Sequence, residues 1–475
     1  MRGQITLIGA GPGEPELLTV KAVRKLQEAD AVFYDRLINQ DLLNYCSNEC
    51  EMIDVGKKPK QHKVPQSEIE NLIIEKAKEG KRVVRLKSGD PYVFGRGGEE
   101  GRKIKENDLE FEVIPGITSA IGGLAYAGIP ITHRDFASSF HVITGHLKTE
   151  DNQLDWENLA KTEGTLVFLM GMSELETITS QLMKHKKSVE TPVAIVRWAT
   201  RKEQKTVTGT LETICDIAEK AKMTSPSLIV MGDVVTQREH LNFYENRPLF
   251  GKRVMIPYTE KKGMTHHLID AGASVLELPK LTKKITKKTL KLKNTQKIVF
   301  LDAESVTHFI EEIKSNKQDI RHFQLVDFVT IGHHTELALN NLGILPSETY
   351  ATVSDYDLTQ KELNNVLFIG EKSYVDQLKE QNDRIHSWTP YETYSKKIEN
   401  AALEEVDYLY LPSSKAAYYF IKDLTDEQLE RLKTKKIMVM GEVTKKVFTT
   451  KNIPVIQSEK PSFESVLTKM IEEDM

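Results

Sequence analysis

The chain has 475 residues, with 65 lysines and arginines against 69 acids, a net charge of −4 and an isoelectric point near 6.4. At 39% hydrophobic and 28% charged residues it is long enough for about three domains with buried cores, and this charge balance argues against a nucleic-acid-binding protein. Three cysteines exclude a disulfide framework and point to a reducing, cytoplasmic compartment, and no apolar run approaches the roughly 18–20 residues of a membrane span.

Met1-Arg2-Gly3-Gln4 leads directly into a first strand, Gln4 to Gly9, so no signal peptide is expected. Gly9-Ala10-Gly11-Pro12-Gly13 follows. Leu18, Ala22, Leu26 and Ala29 then predict a helix by their spacing. Ala31 to Tyr34, ending on Asp35, and Met52 to Gly56 read as the next two strands. Ser67-x-x-Glu70 has the form of a capping box opening a helix that carries Ile69, Ile73 and Ala77. This rhythm predicts a parallel sheet with helices on its faces. Cys46 and Cys50 are spaced for a shared ion, but no further cysteine or histidine pair stands at zinc spacing, so no metal is expected.

Val83 to Glu100 carries the strongest chemical signal. A buried strand runs into a loop with four glycines between Gly89 and Glu99, which lets backbone approach a ligand closely. Asp90 stands where the strand ends, at the ligand crevice of an open α/β sheet. Arg85, Lys87, Arg96 and Arg102 surround it with charge suited to a polycarboxylate; the alternative is a solvated turn. Glu112 to Gly116 reads as a hinge, and Ile117 to Gly128 as a small-residue segment built for close packing. Strands at His141–Gly145, Leu166–Gly171, Val193–Trp198 and Ser227–Gly232 form a second α/β unit. Residues 1–245 are therefore expected to be two lobes, about 1–115 and 116–245, with a cleft between them.

Gln237 to Gly251 is polar and aromatic and reads as a linker, with 246–251 separating the halves. A third α/β region follows, with strands at Lys252–Ile256, Val299–Leu301, Val329–Gly332, Val366–Gly370, Tyr408–Leu411 and Ile437–Gly441. Within it, Ile331-Gly332-His333-His334-Thr335 and Met440-Gly441-Glu442-Val443-Thr444 look alike and hint at two related lobes. Eight lysines between Lys280 and Lys297 read as a solvated connector in preference to an attractor of acidic ligand.

Gly9-x-Gly11 invites a dinucleotide reading, but the third glycine of that fingerprint falls on Glu14, and Pro12 removes an N–H that would face a pyrophosphate. A ligand without phosphate, such as a nucleoside, fits better. Gly9-Ala10-Gly11-Pro12-Gly13, Tyr34-Asp35-Arg36-Leu37, Val55-Gly56-Lys57, Arg85 to Glu100, Pro115-Gly116-Ile117-Thr118-Ser119, Gly128 to Arg134 and Thr144-Gly145-His146 occur in order. Over about 1–245 they closely resemble the uroporphyrinogen-III C-methyltransferases of the tetrapyrrole methylase family. The resemblance implies a two-lobed α/β fold, a homodimer, S-adenosylmethionine as cofactor, and methylation of uroporphyrinogen III at two ring carbons to give precorrin-2. It puts the cofactor at Pro12, Ser88, Gly89, Asp90, Val93, Thr118, Ser119, Met170 and Ala199. Ser88 stands where the family usually has glycine, and Ala199 where related enzymes can carry it. Asp35 and Lys57 match positions proposed as proton acceptor and donor; a helix cap or arginine partner, and a solvated lysine, are the structural alternatives. Arg85, Arg96, Arg102 and Arg134 are candidates for the substrate's carboxylates.

Residues 252–475 resemble the uroporphyrinogen-III synthases through shorter motifs. These are Val254 to Pro257, Gly272-Ala273 before Leu278-Pro279, Gly332 to Thr335, Tyr391-Glu392-Thr393, Leu411 to Ser414, and Gly441 to Thr444. The resemblance implies a second two-lobed α/β fold, 252–281 plus 395–475 and about 285–390, closing hydroxymethylbilane into uroporphyrinogen III. It gives Tyr391 the role of acid for the departing hydroxide, with half-buried strand packing as the alternative. Thr335, Ser413 and Thr444 become hydrogen-bond donors to substrate carboxylates. Asp302 and Glu304 replace a Thr-Ser-Pro type loop, and two acids there are expected to repel an acidic substrate. The rival readings are a non-catalytic C-terminal binding module and a methylase of a later corrin precursor.

Overall fold

The computed structural model describes residues 3–47, 49–56, 65–145, 154–258, 263–278, 280–286, 289–292, 294–358, 363–395 and 400–474. Strands β1 (Ile5–Gly9), β2 (Ala31–Tyr34), β3 (Glu51–Asp54), β4 (Val83–Lys87) and β5 (Phe111–Ile114) form an all-parallel sheet in the order β3-β2-β4-β1-β5. Every residue of β1 and β4 is buried, as both faces of a parallel sheet are covered. Alternate side chains supply two cores. Ile8, Val32 and Val84 meet Leu18, Ala22 and Leu26 on one face. Ile5, Phe33 and Val83 meet Ile69, Ile73 and Ala77 on the other. Each such valine, leucine, isoleucine or phenylalanine side chain contributes roughly 1.5–3 kcal/mol on burial.

Two local expectations are corrected in this lobe. The helix Gln66–Lys78 begins before Ser67, with Pro65 at its N-cap and no side-chain cap bond, so the Ser67–Glu70 capping box does not form. Proline's fixed φ of −58° already sets the entry. The supposed hinge is mostly strand β5, and the chain turns only at Pro115-Gly116.

Strands β6 (Phe140–Thr144), β7 (Thr165–Leu169), β8 (Pro192–Arg197), β9 (Lys205–Thr210) and β10 (Ser227–Met231) form a mixed sheet, β6-β7-β10-β8-β9, in which β10 runs antiparallel to both neighbours. β9 escaped the sequence reading because it is an edge strand of lysine, threonine and glycine with one valine, and none of it is buried.

The C-terminal half holds β11 (Arg253–Ile256), β12 (Ser274–Glu277), β13 (Thr282–Ile285), β14 (Lys297–Phe300), β15 (Asp327–Ile331), β16 (Glu348–Tyr350), β17 (Val366–Ile369), β18 (His386–Trp388), β19 (Tyr391–Tyr394), β20 (Tyr408–Leu411), β21 (Lys436–Val439) and β22 (Ile456–Gln457). Two parallel sheets result, β12-β11-β20-β21-β22 and β16-β15-β14-β17-β18. The chain passes from one to the other through β13 and returns through β19, an antiparallel pair. The two look-alike segments occupy the same kind of place, a strand end followed by glycine and a helix N-terminus.

The polar, aromatic stretch before β11 is not a loose linker. Tyr244 is buried, with its ring 4.7 Å from that of Tyr126, and its hydroxyl donates to the Thr200 carbonyl at 3.2 Å. Arg238 pairs with Glu245. Leu249 is fully buried in the core of the β11 sheet, and Arg253 reaches Asp41 of the first lobe at 3.5 Å. Aromatic area makes this segment bury itself despite its polar neighbours. Among the described residues no helix is long and apolar enough to cross a membrane.

Candidate active sites

The loops after β1, β4 and β5 converge at the C-terminal edge of the first sheet. Gly11 and Gly89 exchange backbone hydrogen bonds of 3.2 and 2.9 Å, and Ala10 N–H donates to the Lys87 carbonyl at 2.7 Å. A Cβ on Gly116 would lie 2.3 Å from the Gly89 carbonyl oxygen, so only glycine permits this approach. Asp90 joins the loops. Its Oδ1 accepts from Tyr92 N–H at 2.8 Å and its Oδ2 from Gly116 N–H at 3.0 Å. Thr118 caps the helix Ser119–Tyr126 that starts here. Pro12, Ser88, Gly89, Asp90, Val93, Thr118 and Ser119 all belong to these loops or border them, and all are at least partly accessible.

The second lobe adds Met170, an exposed residue at the end of β7, and Ala199, which packs against Gly123 of the small-residue helix. Met170, Trp198 and Thr200 all hold positive φ, at 57°, 47° and 67°, a strained conformation that concentrates at functional sites. Sequence reasoning stopped at Ala199 and missed the two residues after it. Thr200 Oγ1 accepts from Glu14 N–H at 2.9 Å and Arg201 donates to the Leu37 carbonyl, so the second lobe clamps the first glycine loop.

Burial pushes the Glu14 carboxyl up from 4.5 to about 7; a hydrogen bond from the Glu16 backbone and the Arg247 charge oppose the rise, and the Glu16 and Asp41 charges add to it. A carboxyl raised in the folded state contributes stability that is complete below its unfolded value and lost as pH rises through the folded one. Glu14→Gln is therefore expected to match the parent near pH 4.5 and to exceed it by up to about 3 kcal/mol near pH 8, read from urea unfolding at both values.

The arginines divide. Arg85 is buried, contrary to the expectation that it faces substrate carboxylates. Its side chain is 3% exposed, pairs with Asp35 and lies 3.4 Å from Glu100. Lys87 is buried beside it, 2.8 Å from the same Glu100 oxygen, and burial with the adjacent Arg85 charge lowers its pKa. Both point off a central strand with covered faces, so they take internal partners. Asp35 remains about one third exposed. Arg96, Arg102 and Arg134 are exposed, and Arg96 pairs with Glu99 on its own helix. Lys57 lies outside the described residues.

In the C-terminal half, a cleft of about 1060 Å³ is lined by both lobes. Tyr391, Thr335 and Ser413 line it, with His333, His334, Lys283 and Lys415. The N-termini of four helices, Ala303–Ser315, His333–Asn340, Ser414–Lys422 and Phe463–Glu472, open onto it, an arrangement that favours anions. Thr444 is a correction: it is buried, and the wall there is formed by Met440 and Val443.

The acidic loop is also corrected. Asp302 accepts from Ser305 N–H at 2.9 Å, Tyr391 OH at 2.7 Å and Glu371 N–H at 2.9 Å, and Glu304 lies 2.6 Å from Lys283. These acids are bound by the protein's own donors, so the expected repulsion of substrate is compensated locally. Tyr391 is buried, and burial with the Asp302 charge raises its pKa far above the usual phenol range.

Residues 4–215 match the family of tetrapyrrole (corrin/porphyrin) methylases, and 262–468 match uroporphyrinogen-III synthase HemD. A uroporphyrinogen-III C-methyltransferase of Priestia megaterium is 47% identical over 49% of this chain and 98% of its own length. The porphyrin biosynthesis protein HemD of Ruminiclostridium josui is 32% identical over 99% of this chain and 98% of its own.

The chain belongs to the tetrapyrrole methylase family.

A uroporphyrinogen-III synthase domain follows the methylase in the same polypeptide, as in the Ruminiclostridium relative's full-length match. A Thermus thermophilus uroporphyrin-III C-methyltransferase, solved with S-adenosyl homocysteine, is 38% identical, with a TM-score of 0.43, and covers 49% of this chain and 99% of its own. Among the described residues of this methylase no group of three histidine, cysteine or acidic side chains could hold a metal.

Proposed function

We propose that residues 1–245 methylate uroporphyrinogen III twice to give precorrin-2, that 246–251 link the halves, and that 252–475 make that substrate by cyclising hydroxymethylbilane. The observation that carries the methylase reading is the meeting of three glycine loops, tied by Asp90 and clamped by the second lobe. That site fits S-adenosylmethionine. Its loops offer backbone groups and one carboxylate, with Pro12 lacking an N–H, as suits a nucleoside-type cofactor without phosphate. Pro12, Ser88, Gly89, Asp90, Val93, Thr118, Ser119, Met170 and Ala199 would hold it. The cofactor supplies an electrophilic methyl group.

The chain's own contribution is positioning, because a ring carbon must meet that methyl in line. Asp35, fixed by Arg85 and open on one side, accepts the proton the ring later loses. Lys57 as donor rests on the family resemblance alone. Arg96, Arg102 and Arg134 are exposed and would bind substrate carboxylates, Arg96 by exchanging Glu99 for one of them. A homodimer and a cytoplasmic location belong to the same reading.

In the second half, helix N-termini and the Lys283, Lys415 and His333 side chains face an octa-acidic substrate, and Thr335 and Ser413 orient it. Tyr391 stays protonated and becomes the acid once it turns from Asp302 to the departing hydroxyl. The test supplies full-length protein with hydroxymethylbilane and S-adenosylmethionine, and identifies ring isomer and methylation by chromatography and mass spectrometry. A dimethylated type III product is expected. Type I rings alone would overturn the synthase assignment. Failure to methylate authentic uroporphyrinogen III would overturn the methylase assignment and turn attention to later corrin precursors.

A further inference from the structure

We infer that Tyr410 seats one pyrrole ring of the bilane at the β20 end of the C-terminal cleft, its phenolic oxygen accepting the ring N–H. The inference rests on the synthase reading and deepens it. Tyr410 lines the cleft, is 1% exposed, and its hydroxyl has no hydrogen-bond partner among the described residues. Its neighbour on the same strand shows the usual arrangement, since Tyr408 OH donates to the Met470 carbonyl at 3.2 Å. A buried phenol without a partner costs stability, and a fold retains such a group where something else satisfies it.

Burial alone raises the Tyr410 pKa, with no charged or hydrogen-bonding neighbour contributing. The hydroxyl is therefore neutral across the working range and able to accept as well as donate. Met264, Met440 and Phe463 share its core cluster and line the same cleft. They make an apolar seat that suits the face of a pyrrole and disfavours its carboxylate arms. Methionine side chains re-form readily around an incoming ring and make favourable sulfur–aromatic contacts. Lys415 and the helix N-termini at His333 and Ser414 line the same cleft and can take the arms.

The test is Tyr410→Phe in the full chain, assayed for type III ring formation from hydroxymethylbilane. KM is expected to rise about five- to ten-fold with kcat within about two-fold of the parent. The melting temperature should be unchanged or higher, because phenylalanine removes only the unpartnered hydroxyl. A purely structural tyrosine would leave KM where it was, and unchanged KM beside a normal type III product overturns the seat while leaving the synthase reading intact. A raised KM accompanied by a lowered melting temperature also overturns it, by assigning the effect to lost packing. If the parent protein forms only type I rings, the synthase reading fails and the seat fails with it.

Discussion

Replacing Glu100 with alanine is expected to destabilise the N-terminal half by about 3–5 kcal/mol, the cost of stranding buried charge. Glu100 is 1% exposed. One of its oxygens receives Lys87 at 2.8 Å, Gln66 Nε2 at 2.9 Å and Arg85 at 3.4 Å. Without it, two buried cations share only Asp35, which sits at the rim. Lys87 can shed its proton, and its lowered pKa shows that direction already; Arg85 cannot. The change also releases Arg85 from one of its two acidic partners, so the Asp35 carboxylate loses its fixed orientation and methylation should fall even where the variant folds. Urea unfolding followed by a probe in the N-terminal half measures the first effect. A loss below about 1 kcal/mol would mean that Arg85 and Lys87 are solvated, and would restore Arg85 as a ligand for substrate carboxylates.

Asp90→Ala is expected to weaken S-adenosylmethionine binding by about 100-fold and to cost about 3 kcal/mol of stability, with the sheet still folded. The two backbone N–H groups that Asp90 binds, of Tyr92 and Gly116, belong to two different loops of the cradle. Hydrogen bonds to a charged acceptor are worth about 1.5–3 kcal/mol each, and here they fix the loops that would hold the cofactor. The sheet beneath does not depend on them, because β1, β4 and β5 pair along their lengths without Asp90. Calorimetric titration of S-adenosylmethionine gives the affinity, and an unaltered titration would remove Asp90 from the cofactor site.

These two residues show how unevenly function is written in the chain. Asp90 stands out in the chain as a carboxylate among glycines at a strand end, and the structure has it accept from the amides of two loops. Glu100 does not stand out, because one glutamate in a charged helix carries no sign that Arg85, fifteen residues earlier, turns inward to meet it. The same holds for Asp302, which reads as a repulsive acid until Tyr391 and the Ser305 and Glu371 amides are found around it.

Most of the buried strands, the glycine loops and the α/β character of both halves are determined by sequence alone, since hydrophobic period and glycine placement act locally, whereas edge strands such as β9 are not. Tyr391, Thr335 and Ser413, singled out by the motifs around them, all line the C-terminal cleft. Only the tertiary structure decided which charges are internal and which are exposed. It also decided that Thr200, Arg201 and Tyr244 brace the first glycine loop and its surroundings, and that the stretch before Arg253 packs into both halves. Those outcomes depend on partners brought together from distant parts of the chain, and burial, which sets the cost of every charge and hydroxyl, exists only once the sheets have been covered.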